Sequence, residues 1–284
     1  MDVIRDPIAF QRQAWQWRCD GITTALVPTM GFFHEGHLRL MDAARERAGA
    51  SGKVMVSLFV NPTQFGPKED LSAYPRDLER DSRLAESRGV DVLFAPEPSA
   101  MYAPDAATWV DVPSLGQGLC AITRPTHFRG VATVVAKLLL LAMPCAAIFG
   151  QKDWQQLAVI RRMVRDLNMP VEIVGHAIVR EPDGLALSSR NVYLTPEERA
   201  QAPAIFAGLR KAQEAVQAGE RSVANIKAAF AAHIAAHMPK ARIDYAELVH
   251  PDSLEPLATV DGPALMAVAV FHGKARLIDN LLLR

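Results

Sequence analysis

The sequence predicts an α/β fold with a doubly wound parallel sheet, followed by a smaller α+β domain. Over the first two-thirds of the chain, short apolar runs alternate with amphipathic segments, a pattern typical of βαβ units. After about Arg190 the pattern changes to two helical segments followed by two strand-like runs. Half of the 284 residues are hydrophobic and 22% are charged, as in folded domains. We expect one domain over residues 1–183 and a second over 184–284.

The elements of the first domain follow from apolar periodicity and β-branched content. Strands are expected at 24–27, 54–60, 90–94, 108–112, 146–149 and 171–179. Helices are expected at 37–48, 77–88, 131–141 and 154–167. In parallel sheets of this kind, ligands bind beyond the carboxyl ends of the strands. Polar motifs that directly follow a strand are therefore the first candidates for function.

The second domain begins with a helix-start signal. Thr195 is followed by a proline and, three residues after itself, by Glu198, which together predict a capping box. The helix is expected to run to about residue 218 and to end at Gly219. Ser222 is expected to cap a second helix that ends near His237, and strands are expected at 242–249 and 264–271.

Charge and cysteine content exclude several classes of protein. Lys plus Arg and Asp plus Glu both number 31, and this balance argues against a nucleic-acid binder. Three widely spaced cysteines make a disulfide framework unexpected and favour a reducing, cytoplasmic location. The most apolar run, residues 131–147, contains Lys137 and Pro144 and is too short to span a membrane.

The first candidate site is the segment Pro28–His37, which follows a predicted strand and opens a helix. Gly31 and Gly36 allow close approach of the backbone to a ligand. A helix N-terminus attracts phosphate, and the imidazoles of His34 and His37 can donate hydrogen bonds to it. An ordinary capped turn with two exposed histidines stays open as the alternative. A zinc site is disfavoured, because the spacing differs from H-E-x-x-H and a third ligand is not evident.

Three further polar segments follow predicted strands or precede helices. Asn61 and Gln64 offer amide groups to a polar substrate. Lys152 is expected to meet phosphate, with Asp153 as a helix N-cap and Gln156 on the first turn. The segment 187–191 combines two hydroxyls with the guanidinium of an arginine, which suits a polyphosphate. Taken singly, each segment also fits an ordinary turn or linker.

The usual nucleotide and hydrolase fingerprints are missing from the sequence. It contains no GxxxxGK[ST] segment and no GxGxxG segment followed by a ribose-binding acid. Ser188 is not embedded in a GxSxG elbow. The usual ATPase, dinucleotide-binding and hydrolase signatures therefore do not account for the polar segments.

The motifs closely resemble one such family. His34-Glu35-Gly36-His37 is similar to the HIGH signature of the nucleotidyltransferase superfamily, and Ser188-Ser189-Arg190 is similar to its KMSKS-type loop. The strings PTMGFFHEGH, SLFVNPTQF, HFRGVATVVAKL, IFGQKDWQQLAVIRRMV, DGLALSSRNVYL and ARLIDN resemble the pantothenate synthetase (pantoate–β-alanine ligase) family over about residues 22–284. Phe32-Phe33 departs from the smaller or aliphatic residues usual there.

The resemblance implies a Rossmann-like first domain and a C-terminal domain that closes over the active site. It implies ATP-dependent condensation of (R)-pantoate with β-alanine through a pantoyl adenylate, giving pantothenate, AMP and pyrophosphate. The chemistry requires such activation, because a carboxylate does not acylate an amine in water. Pantoate is expected to bind Gln64 and Gln156, and β-alanine to bind Gln64. The stretch 66–75 is expected to form a lid.

The resemblance also assigns roles to the phosphate-binding residues. His37 is expected to be the catalytic acid, and the further catalytic residues are expected to be His34, Lys152, Ser188, Ser189 and Arg190. Residues expected to contact ATP are Met30, Gly31, Phe32, Phe33, His34, Glu35, Gly36, His37, Gly150, Gln151, Lys152, Asp153, Val179, Leu187, Ser188, Ser189 and Arg190.

Mg²⁺ is expected to bridge phosphate oxygens, with Asp81 as an outer ligand through water. A homodimer is implied, and neither nucleic acid nor a membrane is expected as a partner. Two alternatives stay open: another adenylyltransferase of the superfamily, and a nucleotide-binding module without catalysis.

Overall fold

In the computed structural model, which describes residues 1–66, 71–72 and 74–283, the chain divides into two units. The first comprises Met1–Gln117, Ala121–Gln151 and Val159–Ala177. The second comprises Gly118–Cys120, Lys152–Ala158 and Ile178–Arg284. Residues 67–70 and 73 of the expected lid lie outside the described residues.

A six-stranded parallel sheet forms the centre of the first unit, with strand order β1-β4-β3-β2-β5-β6. The strands are β1 (Asp2–Ile4), β2 (Thr24–Thr29), β3 (Lys53–Leu58), β4 (Val92–Phe94), β5 (Ala146–Gly150) and β6 (Glu172–His176). The chain extends the sheet from β2 through β3 to β4, and then returns to add β5 and β6 on the other side. The predicted doubly wound α/β class is confirmed, and the switch in direction lies between β2 and β5.

Helices connect these strands. They are α1 (Pro7–Cys19), α2 (Glu35–Ala48), α3 (Leu78–Ser87), α4 (Pro98–Met101), α5 (Cys120–Thr123), α6 (His127–Ala142) and α7 (Trp154–Asp166). α6 is buried along most of its length, in line with its largely apolar sequence. Within the described residues, no helix combines the length and apolar character needed to cross a membrane.

The second unit contains a three-stranded antiparallel sheet with strand order β7-β8-β9. Its strands are β7 (Arg242–Val249), β8 (Ala264–His272) and β9 (Ala275–Leu283). Its helices are α8 (Pro196–Gln201), α9 (Ala204–Gln217) and α10 (Val223–His237). Apolar side chains from α9, α10 and the sheet form its core, with Leu209, Phe230 and Val268 at the centre.

The structure corrects several element predictions. Residues 108–112 form no strand, because the Val110 N–H donates to Thr133 Oγ1 at 3.0 Å rather than to a neighbouring strand. The helix expected from 196 to 218 is two helices, since Pro203 lacks the N–H needed to continue α8. The capping box at Thr195 and the Ser222 cap of α10 are confirmed. Strands β1 and β9 and helix α1 were not predicted.

Candidate active site

The loop between β2 and α2 takes its shape from two residues with positive φ. Gly31 has φ +85° and Phe32 has φ +52°. A Cβ at Gly31 would lie 3.0 Å from Leu58 Cδ2 and 3.2 Å from Asp81 Oδ2, so glycine is required there for both space and conformation. The tight loop brings its backbone to the end of the sheet where the strand order switches, the usual ligand position in such folds.

Asp81 of α3 anchors this loop. Its Oδ2 accepts the Phe32 N–H at 2.6 Å, and its Oδ1 accepts the Phe33 N–H at 2.8 Å. Arg80 donates to the Phe33 carbonyl at 2.9 Å and lies over the Phe32 ring. Burial raises the pKa of the Asp81 carboxyl, although the two N–H donors favour its ionised form. Asp81 therefore holds the loop backbone, a role that sequence reasoning missed.

The two histidines form the start of α2. His34 is the N-cap, and its Nδ1 accepts the Gly36 N–H at 3.1 Å. His37 Nδ1 accepts the His34 N–H at 3.3 Å, and the two ring centroids are 4.1 Å apart. Because both Nδ1 atoms accept, the neutral rings carry their protons on Nε2. Each imidazole can thus cap the helix through Nδ1 and present an N–H donor through Nε2.

The remaining residues of this segment have distinct surroundings. The Phe33 side chain is fully buried in the core with Val27 and Val56, so the predicted contact of this residue with ATP would involve its backbone. Glu35 forms ion pairs with Arg39 and Arg88 at 3.0 and 3.4 Å, so its charge is largely balanced within α2 and α3.

Gln64 lies in a buried network of polar groups. Its Nε2 donates to Met30 Sδ at 3.0 Å, and its Oε1 accepts from Asn61 Nδ2 at 3.1 Å. Asn61 is 1% exposed and also accepts from the hydroxyls of Thr63 and Tyr102, both at 3.0 Å. Asn61 therefore stabilises the turn after β3. This is the role that the alternative of an ordinary turn predicts for this residue. Gln64 and Met30, predicted from separate motifs, are brought into contact.

Three residues of α6 and the segment before it hold the turn formed by residues 61–64. The Gln64 carbonyl accepts from His127 Nδ1 at 2.9 Å and from Arg124 Nη2 at 3.3 Å. The Gly130 carbonyl accepts from Asn61 Nδ2 at 3.1 Å, and a Cβ at Gly130 would lie 2.5 Å from the Thr63 carbonyl oxygen. These residues are not among the site residues predicted from the sequence, although His127 and Gly130 lie in the string HFRG.

The segment after β5 forms a 3-10 turn over Gln151–Asp153 that leads directly into α7. Asp153 is the last residue of this turn and directly precedes α7, the position predicted for a helix N-cap. Gln151 Nε2 donates to the Gly175 carbonyl at 3.4 Å. In the second unit, Lys152 Nζ lies 3.6 Å from Asp153 Oδ2, with its side chain 20% exposed.

Two neighbouring glutamines of α7 differ in surroundings. Gln155 is buried and bonds to the Cys120 N–H at 3.1 Å and the Gly118 carbonyl at 3.2 Å. Gln156 is half-buried, and the described residues give its side chain no hydrogen-bond partner. The side-chain amide of Gln155 is therefore hydrogen-bonded to the protein. The side-chain amide of Gln156, the predicted pantoate ligand, can still form hydrogen bonds with a ligand.

Ser188 is the N-cap of a 3-10 turn that spans Ser189–Tyr193. Its Oγ accepts the Arg190 N–H at 3.2 Å, and the preceding Leu187 N–H donates to the Val179 carbonyl at 3.0 Å. Lys152 and Ser188 line one small cavity of the second unit, together with Asp279 of β9. The structure therefore brings the two predicted phosphate-binding segments of this unit together.

Comparisons with known proteins agree on one family. A profile of the family described as "Pantoate-beta-alanine ligase" matches residues 2–282. The chain is 58% identical over 283 residues to pantothenate synthetase from Nitratidesulfovibrio vulgaris (strain DSM 19637 / Miyazaki F), covering 100% of this chain and 99% of the relative. It is 59% identical over 282 residues to pantothenate synthetase from Solidesulfovibrio magneticus, covering 99% and 98%.

Solved structures give the same result. Pantothenate synthetase from Thermus thermophilus has a TM-score of 0.91 and 46% identity, with 99% of each chain covered. Pantoate–β-alanine ligase from Francisella tularensis, solved in complex with beta-gamma ATP and beta-alanine, has a TM-score of 0.80 and 30% identity, with 99% and 97% covered. The predicted resemblance is confirmed: the chain belongs to the pantoate–β-alanine ligase family.

Proposed function

We propose that the chain catalyses the ATP-dependent condensation of (R)-pantoate with β-alanine, giving pantothenate, AMP and pyrophosphate. The observation that carries this proposal is the family match over residues 2–282, in a chain whose predicted motifs directly follow β2, β3 and β5. The enzyme is accordingly a ligase that forms a C–N bond in pantothenate biosynthesis.

The proposed reaction has two steps. A carboxylate oxygen of pantoate attacks the α-phosphorus of ATP, and pyrophosphate leaves to give pantoyl adenylate. The amine of β-alanine then attacks the activated carbonyl carbon, AMP leaves with the electron pair of the broken C–O bond, and the amine loses a proton. Holding the reactants in place and excluding water from the mixed anhydride are the main tasks of the protein.

In the first unit, His34 and His37 are proposed to donate Nε2–H hydrogen bonds to ATP phosphates, with His37 as the acid. Their Nδ1 atoms accept backbone N–H groups, which supports this tautomer. The segment Met30–Gly36 is proposed to line the nucleotide, with Phe33 taking part only through its backbone. Gln64 is proposed to bind pantoate and β-alanine through its amide, which the Asn61 and His127 contacts orient.

In the second unit, Lys152, Ser188, Ser189 and Arg190 are proposed to stabilise charge on the phosphates during transfer. Lys152 and Ser188 both line one small, mostly apolar cavity, and their proximity supports joint action of the two segments. Gln156 is proposed to bind pantoate, because its amide has capacity for a ligand. Gly150, Gln151, Asp153, Val179 and Leu187 are proposed as further ATP contacts.

Mg²⁺ is proposed to enter with ATP and to neutralise phosphate charge. Among the described residues, no group of three or more His, Cys, Asp and Glu side chains lies together, which fits an ion held mainly by phosphate oxygens. Asp81 stays the proposed outer ligand; because both its oxygens accept backbone N–H groups, its contact would pass through water.

Three further proposals rest on the sequence. Residues 1–183 are proposed as the nucleotide- and pantoate-binding domain, with 184–284 as the smaller C-terminal domain. A homodimer and a cytoplasmic location are proposed from the family resemblance and the cysteine content. The cysteines, all of which the structure describes, are two exposed thiols and one buried thiol outside any disulfide, which fits a reducing environment.

Pyrophosphate exchange tests the function. With ATP, Mg²⁺ and pantoate, labelled pyrophosphate should be incorporated into ATP, whereas β-alanine in place of pantoate should support no incorporation. Adding β-alanine to the complete mixture should release AMP and pantothenate in equal amounts. Exchange without pantoate would favour another adenylyltransferase activity, and ATP binding without exchange would favour a non-catalytic nucleotide-binding module.

A further inference from the structure

Two adjacent residues of β9 bond to Lys152 and to Arg180, which lies ahead of the second phosphate-binding segment proposed for this unit. Asn280 Nδ2 donates to the Lys152 carbonyl at 2.9 Å. Asp279 accepts from Arg180 through both oxygens, with Nη1 at 2.6 Å and Nη2 at 2.8 Å. Asp279 and Asn280 are each 5% exposed. Asn280 thus fixes the backbone at Lys152, and Asp279 fixes the side chain of Arg180.

Arg180 in turn fixes the chain that leads into Ser188–Arg190. Its Nη1 also donates to the Gly184 carbonyl at 3.1 Å, and its backbone forms an antiparallel bridge with Ala186. Its guanidinium carbon lies 3.7 Å from the centre of the Phe206 ring. The ion pair, the carbonyl bond and the ring together leave the arginine little freedom, so the residues that follow start from a fixed position.

The two side chains are also linked to each other. Asp279 Oδ1 accepts the Asn280 N–H at 2.8 Å. A displacement of either residue therefore changes the hydrogen bonds that the other one forms. The cavity lined by Lys152 and Ser188 has Asp279 in its wall. A chain of direct contacts therefore runs from Lys152 through Asn280, Asp279 and Arg180 to Ala186, whose carbonyl accepts from Asn191 of the Ser188 turn at 3.1 Å.

We propose that Asp279 and Asn280 form a shared positioning element, which fixes Lys152 and Ser188–Arg190 relative to one another for adenylate formation. The inference rests on the proposed function for the role of those two segments. The dipeptide acts through backbone and arginine contacts, so Asp279 and Asn280 are positioning residues. A misplacement of about 1 Å can slow catalysis by about 10²-fold, so such an element has a kinetic effect beyond stability.

The primary test is Asn280→Ala, with Gln213→Ala as the matched control. Gln213 Nε2 donates to the Leu282 carbonyl on the same strand at 3.2 Å, so the control removes the same type of bond. Asn280→Ala should lower kcat for pantoate-dependent pyrophosphate exchange by about 10- to 10²-fold, with the pantoate KM within about twofold. Gln213→Ala should leave kcat unchanged. Equal kcat values for the two variants would overturn the proposal.

The second test uses Asp279→Asn, with Asp244→Asn as the control. Asp244 of β7 is also buried and accepts from Arg276 at 3.0 and 2.7 Å. Asp279→Asn should lower kcat as Asn280→Ala does, and Asp244→Asn should not. If both aspartate variants fail to fold, the Asn280 and Gln213 pair still decides, because neither removes a charge.

Amide hydrogen exchange separates this proposal from the proposed function. Asn280→Ala should speed exchange at 152–156 and at 187–193, whereas Gln213→Ala should speed it at neither segment. If wild type lacks pantoate-dependent pyrophosphate exchange but the amide effect is present, the enzymatic function fails and the positioning contacts stand. Unchanged amide exchange in Asn280→Ala, with an active wild type, would refute the positioning role alone.

Discussion

At the start of α2, His34 uses Nδ1 as a helix cap, and Nε2 is the ring nitrogen proposed to contact ATP. Its Nδ1 accepts the Gly36 N–H, which satisfies one of the unpaired donors of the first turn. Asparagine is also a strong N-cap residue, but its amide does not extend as far as Nε2. Capping and ligand binding can therefore be separated by substitution.

His34→Asn should keep the stability of wild type, whereas His34→Ala should lose about 1 kcal/mol of unfolding free energy with the cap. Both variants should lose most pantoate-dependent pyrophosphate exchange, because both lack the imidazole. Urea unfolding and the exchange assay measure the two effects. Ser222→Ala, which removes the N-cap of α10, is the control: it should cost similar stability and leave the rate unchanged. Full activity of His34→Asn would limit His34 to capping.

Lys152 provides the second prediction at this scale. Its side chain is mostly buried beside Asp153, at a cavity it shares with Ser188. Lys152→Ala should lower kcat by about 10²- to 10³-fold, as expected for loss of one key electrostatic contact. Lys227→Ala, which removes an ion pair with Glu247 in the same unit, should keep kcat near wild type. A normal kcat in Lys152→Ala would refute the role of its charge.

At the scale of elements, Asp91 joins the end of α2 to the start of β3. It accepts from Arg45 at 2.6 Å, from Lys53 at 3.0 Å and from the Val54 N–H at 2.8 Å. Burial raises the pKa of Asp91, but these donors outweigh it and hold the pKa below its ordinary value of 3.8. The ionised carboxylate therefore stabilises the folded state.

Because the folded pKa is lower than the unfolded one, the contribution of Asp91 is fully present above about pH 4 to 5 and is lost as pH falls through the folded pKa. Asp91→Asn should therefore be less stable than wild type at neutral pH, and the gap should shrink below pH 4. Urea unfolding at a series of pH values measures the gap. Asp105→Asn, at an exposed position, controls for the loss of one carboxylate. A gap that stays constant to pH 2 would contradict the assignment.

At the scale of the whole molecule, the formal charge is zero, so ATP binding must depend on local donors rather than on a basic surface. A ligand that binds only the folded state raises the free energy of unfolding by about 2.7 kcal/mol at 100 times its Kd. ATP with Mg²⁺ should therefore raise Tm in a concentration-dependent way. No shift at any ATP concentration would contradict the proposed nucleotide site.

The sequence by itself determined the α/β class and the positions of the motifs. Runs such as 24–27 and 146–149 are short, apolar and separated by helical periods, so local pattern alone specifies parallel strands. Because the carboxyl ends of such strands share one edge, the sequence alone predicts that the motifs after β2, β3 and β5 form one site. The capping box at Thr195 was equally local, since its partners are three residues apart.

Only the tertiary structure decided which side chains hold these motifs in place. Asp81 and Phe32 are 49 residues apart, Gln64 and His127 are 63 apart, and Lys152 and Asn280 are 128 apart. The burial of the Phe33 side chain in the core also depends on packing. Periodicity specifies the type of an element and the face it buries, but a contact between distant segments exists only once the elements pack, so no local pattern encodes it.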